Sequence, residues 1–167
     1  MGVQVRVLGP LEVDGPHGPV VVAGAKQRTL LAVLALAGGR PVPVSELVDA
    51  LWPDDPPPSA RNSLQSHVAR LRAALPPETI TSGPAGYRLA VPRAAVDALH
   101  FCDLLADGEV AQAFELWRGP PLPEFSAEPL GGGAARLTEA RRAALADRAG
   151  SGDPAELSAE VDRDPCW

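Results

Sequence analysis

Residues 59–91 constrain this chain more than any other stretch: SARNSLQSHVARLRAAL, a short break, then ITSGPAGYRLAV. In the first piece Leu64, Val68, Leu71 and Leu75 recur at i, i+4, i+7 and i+11, which puts them on one face of a helix. The other faces carry Asn62, Gln65, Ser66, Arg70 and Arg72, and no acidic residue occurs from 59 to 75. Ser59, following three prolines, is placed to cap the helix start. The second piece predicts a β-hairpin whose strands join through Gly83-Pro84-Ala85-Gly86. A helix with a buried face and a basic, amide-bearing face, followed by a hairpin, is what a winged helix-turn-helix needs. There the helix enters the major groove and the hairpin lies along the backbone. An ordinary surface helix beside a hairpin fits these residues as well, so the flanking segments have to decide.

Upstream, Val3, Val5 and Val7 alternate with Gln4 and Arg6 over 3–8, the period of a half-buried strand. Short strands are predicted at 11–13 and 20–22, separated by an Asp14-Gly15-Pro16 turn. A helix over 26–37 places Leu30, Leu34 and Ala37 on one side and stops at Gly38-Gly39. A second helix, capped by Ser45 and running to Trp52, turns Leu47, Val48 and Leu51 inward before a run of prolines ends it. Three strands, three helices and a hairpin complete one α+β winged helix-turn-helix domain over residues 1–92, with Pro92-Arg93 as its boundary.

Residues 93–167 change character to all-helical. Ala98, Phe101, Leu104 and Leu105 share one face, as do Val110, Ala113, Phe114 and Trp117. After a Gly/Pro-rich stretch from 119 to 133, Leu137, Ala140, Ala144 and Leu145 form a third, and Leu157 and Val161 begin a fourth. Such faces need partners, as in stacked helical hairpins, although no strict repeat of about 34 residues is visible. Charge divides the same way. The chain's net −6 argues against nucleic acid at first, but residues 1–92 hold eight Lys/Arg against seven Asp/Glu, and residues 93–167 hold seven against fourteen. The acidity belongs to the second part, and local distribution outweighs the total.

Other classes find little support. Cys102 and Cys166 show neither metal spacing nor a disulfide framework, and Cys102 reads as a small core residue. His17, His67 and His100 have no companions for a nucleophile or metal site, and Gly24-Ala25-Lys26 lacks phosphate-loop spacing. The expectation is therefore no enzyme, no metal and no cofactor. With no signal-like leader, and a longest apolar run, 30–37, too short for a bilayer, the chain reads as soluble and cytoplasmic, with no membrane partner.

The ordered pieces VRVLGPLEV, KQRTLLAVLAL, VSELVDALWPDDPP, ARNSLQSHVARLRAAL, GYRLAV and VDALHF resemble the antibiotic regulatory protein (SARP) family of bacterial transcriptional activators. The similarity is clear over 3–118 and weak over 134–165. It implies an OmpR/PhoB-type winged helix at 1–92, followed at 93–167 by the N-terminal part of a tetratricopeptide-like bacterial transcriptional activation domain. It also implies direct-repeat promoter DNA and RNA polymerase as partners, and a biosynthetic gene cluster as the target of activation. By position, 60–75 is the recognition helix, 79–91 the wing, and Lys26 and Arg28 approach backbone phosphate. Arg grips guanine O6/N7 and Asn or Gln grips adenine N6/N7, so Asn62, Gln65 and Arg70 are the expected base readers. Ser66, Arg72 and Arg88 are better placed for phosphate. Arg61 lies near the buried face, and Tyr87 is expected to pack against the core. Residues 93–167 are too few for a whole activation domain, so this part is expected to be incomplete, with Cys166-Trp167 prompting self-association. A competing reading makes the winged helix a protein-interaction module that never touches DNA.

Overall fold

In the computed structural model, which describes residues 2–150, the chain opens with three strands, β1 (Gln4–Arg6), β2 (Glu12–Gly15) and β3 (Gly18–Val20). They form an antiparallel meander in that order, with Val5 opposite Val13 and Val13 opposite Val20. Alternation buries Val3, Val5, Val7 and Val13 beneath the sheet. On the outer face Arg6 reaches Glu12 at 3.1 Å and Asp14 at 2.6 Å, and Arg118 reaches Glu12 at 3.1 Å.

Helix α1 (Ala25–Leu36) is buried on every side from Leu30 to Leu36, a wider surface than the single Leu30/Leu34 face expected. The reason is its position: α2 (Val44–Leu51), α3 (Ala60–Ala74) and the hairpin lie against it, and a later helix covers what they leave open. An all-apolar run of this length is how a fully covered helix reads. The hairpin is β4 (Ile80–Gly83) and β5 (Gly86–Leu89), in the register Ile80–Leu89, Thr81–Arg88, Ser82–Tyr87. Two capping expectations fail in detail. Ser59 directly precedes α3 without a capping side-chain bond, and α2 starts one residue before Ser45, after Pro43.

A 3-10 turn (Arg93–Ala95) leads into α4 (Asp97–Ala106), α5 (Val110–Glu115) and α6 (Leu130–Gly150). Phe101 meets Trp117 edge-on, with ring centroids 5.3 Å apart. Cys102 is buried beside them, as expected of a small core residue. Helix α6 takes in Gly131, Gly132 and Gly133, which belong to the Gly/Pro-rich stretch expected to separate two helices. A Cβ on Gly133 would stand 2.8 Å from a Leu36 methyl, so the missing side chain lets α6 approach α1 closely. The fourth helix expected near Leu157 and Val161, and the Cys166-Trp167 pair, lie outside the described residues.

The segment after Pro92 is built into the first sheet. Val96 bridges Val5, and the Asp97 carboxylate accepts the backbone N–H of Val7 at 2.7 Å and of Leu8 at 3.0 Å. Further on, Arg118 N–H donates to the Leu8 carbonyl at 2.8 Å, and Leu122 N–H lies 3.2 Å from the Val7 carbonyl and 3.0 Å from that of Gly9. One continuous apolar core runs from Val3 to Ala140, across the expected boundary at Pro92-Arg93.

Candidate nucleic-acid interface

Leu64, Val68 and Leu71 are buried under α3 at 1% exposure or less, which fixes the rotation of the helix. That rotation leaves Asn62, Gln65, Ser66, Ala69 and Arg70 exposed together on the opposite face. Two amides and a guanidinium, the groups that pair bidentately with adenine and guanine edges, thus share one solvent-facing surface. The Ser66 hydroxyl bonds back to the Asn62 carbonyl at 3.2 Å, one turn earlier. Arg61, expected near the buried face, is exposed. It sits in the first turn, before Leu64 begins the packed seam, and that position was the signal available in the sequence. With Asn62 and with Ser45 and Asp49 of α2, it lines an open groove of about 590 Å³ beneath Pro56, Pro57 and Pro58.

His67 turns partly inward, its ring centroid 6.0 Å from that of Trp52. Burial, then the charges of Arg70 and Lys26, hold its imidazole below the usual histidine range. It is neutral at pH 7 and adds no cation to the helix.

The cations expected to touch phosphate are placed unequally. Arg88 is exposed on β5, opposite Thr81. The Nε–H of Arg72 donates to the Ile80 carbonyl at 3.1 Å, and its guanidinium carbon lies 5.8 Å from the Tyr87 ring centre. Tyr87 is half-buried and paired through its backbone with Val42. The ammonium of Lys26 donates to the Leu51 carbonyl at the end of α2 and sits 5.2 Å from the Trp52 ring centre. Arg28 is held by the carbonyls of Val22 at 3.3 Å and Leu11 at 3.1 Å and by Glu124 at 3.0 Å. Lys26 therefore closes the carboxyl end of α2, a favourable place for a cation, and Arg28 ties α1 to the segment after α5. Both cations are thus engaged within the protein, and the proposal below does not rest on them.

Glu124 also accepts Leu11 N–H at 2.8 Å. Partial burial raises its carboxyl, but the bonds from Leu11 and Arg28 prevail and hold it below the usual carboxylate range. Among the described residues no group of three or more His, Cys, Asp or Glu side chains could hold a metal, and no helix is long and apolar enough to cross a membrane.

Residues 18–89 match the family described as "Transcriptional regulatory protein, C terminal". The chain is 36% identical over 161 residues to "Transcriptional regulator RedD" of Streptomyces coelicolor, covering 84% of this chain and 46% of that protein. It is 32% identical over 171 residues to "Regulatory protein DnrI" of Streptomyces peucetius, covering 87% and 63% respectively. A solved structure of Mycobacterium tuberculosis EmbR, in complex with a low-affinity phosphopeptide, superposes with a TM-score of 0.74 at 31% identity, over 88% of this chain and 44% of that one. The chain thus spans roughly half the length of these relatives, between 44% and 63%.

Proposed function

The chain belongs to the antibiotic regulatory protein (SARP) family of transcriptional regulators, and from that premise we propose that it binds double-stranded DNA sequence-specifically to activate transcription. The observation that carries this reading is the outward face of α3, acid-free and exposed, with Asn62, Gln65 and Arg70 held in one orientation by the buried seam behind them. In this reading α3 lies in the major groove, those three side chains read base edges, and Arg88 on the hairpin meets the backbone with Ser66 and Arg61 beside the groove. The proposal includes direct-repeat operators, RNA polymerase as second partner, a biosynthetic gene cluster as target and a cytoplasmic site of action, as the family resemblance implies. It assigns residues 1–92 to DNA and residues 93 onward to activation, with no catalytic role.

The test is a salt series on duplex binding by the 167-residue chain. Counterion release makes the logarithm of affinity fall linearly and steeply with the logarithm of salt concentration. Salt-insensitive or undetectable duplex binding by the folded chain refutes the proposal and favours a protein-docking role for the same helix.

A further inference from the structure

A hairpin joined to α3 only through the chain could sit at many angles to it. Here Ile80 and Leu89 anchor the base of the hairpin in the core, and three further ties set its angle. Val42 and Tyr87 exchange backbone bonds in both directions, at 2.7 and 3.1 Å. Gly86, at a φ of +123°, lies where the Val42 carbonyl fills the space a side chain would need, so only glycine permits the approach. The third tie is Arg72. It is rooted in the last turn of α3 and holds both strands at once, β4 through the bond from Nε–H to the Ile80 carbonyl, β5 through its guanidinium near the Tyr87 ring. Guanidinium suits the task because it offers a planar donor edge and a flat face together, which an ammonium cannot. Tyr87 immediately precedes Arg88, so whatever orients the ring orients the neighbouring exposed cation.

We propose that Arg72 is a positioning residue, which sets the hairpin against α3 and so delivers Arg88 to the DNA backbone, and that it is not itself a phosphate contact. This rests on the DNA-binding reading above for its consequence, but its structural half stands on the free protein.

The experiment compares the wild-type chain with Arg72→Gln, Arg88→Ala and the double variant on a mixed-sequence duplex across a salt series. It also follows amide exchange of the hairpin without DNA. Loss of one phosphate contact lowers the salt slope by about one. If Arg72 acts through Arg88, each single variant lowers the slope by about one, the double variant lowers it by no more than about one in total, and the hairpin amides of Arg72→Gln exchange faster than wild type. A double variant whose slope falls by about two, or an Arg72→Gln variant with unchanged slope or unchanged hairpin exchange, overturns the proposal. If the wild-type chain does not bind duplex at all, the DNA reading fails, and hairpin exchange alone then decides whether Arg72 holds the wing.

Discussion

Replacing Asp97 by alanine tests how tightly the helical segment is built into the winged helix. Asp97 is 8% exposed, and its two oxygens satisfy the N–H groups of Val7 and Leu8, themselves fully buried. Asp97→Ala strands both donors, at about 1–3 kcal/mol each. The variant is relieved of burying a carboxylate, which offsets part of that, so the expected net loss is about 2–4 kcal/mol. Against the roughly 5–15 kcal/mol that holds a domain together, this is large. Asp97→Asn should cost about as much, because its one carbonyl serves one N–H while its amide donors face the other. Urea unfolding at pH 7 measures the effect as a lower midpoint at unchanged m. Burial pushes the Asp97 carboxyl above its usual range, despite the opposing pull of the Val7, Leu8 and Ala98 N–H groups and the Arg118 charge. A raised native pKa means that the group's contribution is fully present below its unfolded pKa and falls as pH rises through the native value. The gap between wild type and Asp97→Ala is therefore expected to be wider near pH 4 than at pH 7. A loss under about 0.5 kcal/mol would refute the reasoning, since that is the range of an uninvolved surface site.

Glu124→Gln should show the opposite pH signature. Its native pKa is depressed, so its contribution is present above the unfolded pKa and lost as pH falls through the native value; a deficit of about 1 kcal/mol at pH 7 should vanish in strong acid, as read by urea midpoints. Gly86→Ala should lower stability by at least about 1 kcal/mol from backbone strain alone, and weaken duplex binding further by displacing the hairpin, which a filter-binding titration would report. A fragment ending at Pro92 would lose Asp97, Arg118, Leu122 and Glu124 together, and it should melt well below the whole chain in a calorimetric scan.

The parts legible in the sequence are those whose signal is local. Leu64, Val68 and Leu71 repeat at the helical period, and the outward positions of Asn62, Gln65 and Arg70 follow from it. The hairpin announces itself through Gly83 and Gly86, which open and close its turn. What was not legible depends on partners far along the chain. Arg28 reads as a free cation until Glu124, 96 residues away, is seen beside it, and nothing local to Asp97 points to Val7, 90 residues earlier. The engagements of Lys26 and Arg72 are hidden for a related reason, since formal charge is visible in a sequence and the carbonyl that engages it is not. Gly131, Gly132 and Gly133 fall in a stretch expected to separate two helices because glycine weakens helices, whereas close packing on α1 makes the missing side chain of Gly133 useful.

The central claim, that the outward face of α3 reads DNA sequence, is tested most directly by selecting bound duplexes from a random pool with the wild-type chain and with Arg70→Ala in parallel. The account predicts that wild type enriches a defined site. Arg70→Ala should bind that site about 1–3 kcal/mol more weakly and lose preference mainly at the base pair its guanidinium reads. Failure of the wild-type chain to enrich any sequence, or an unaltered preference in Arg70→Ala, Asn62→Ala and Gln65→Ala alike, would contradict it.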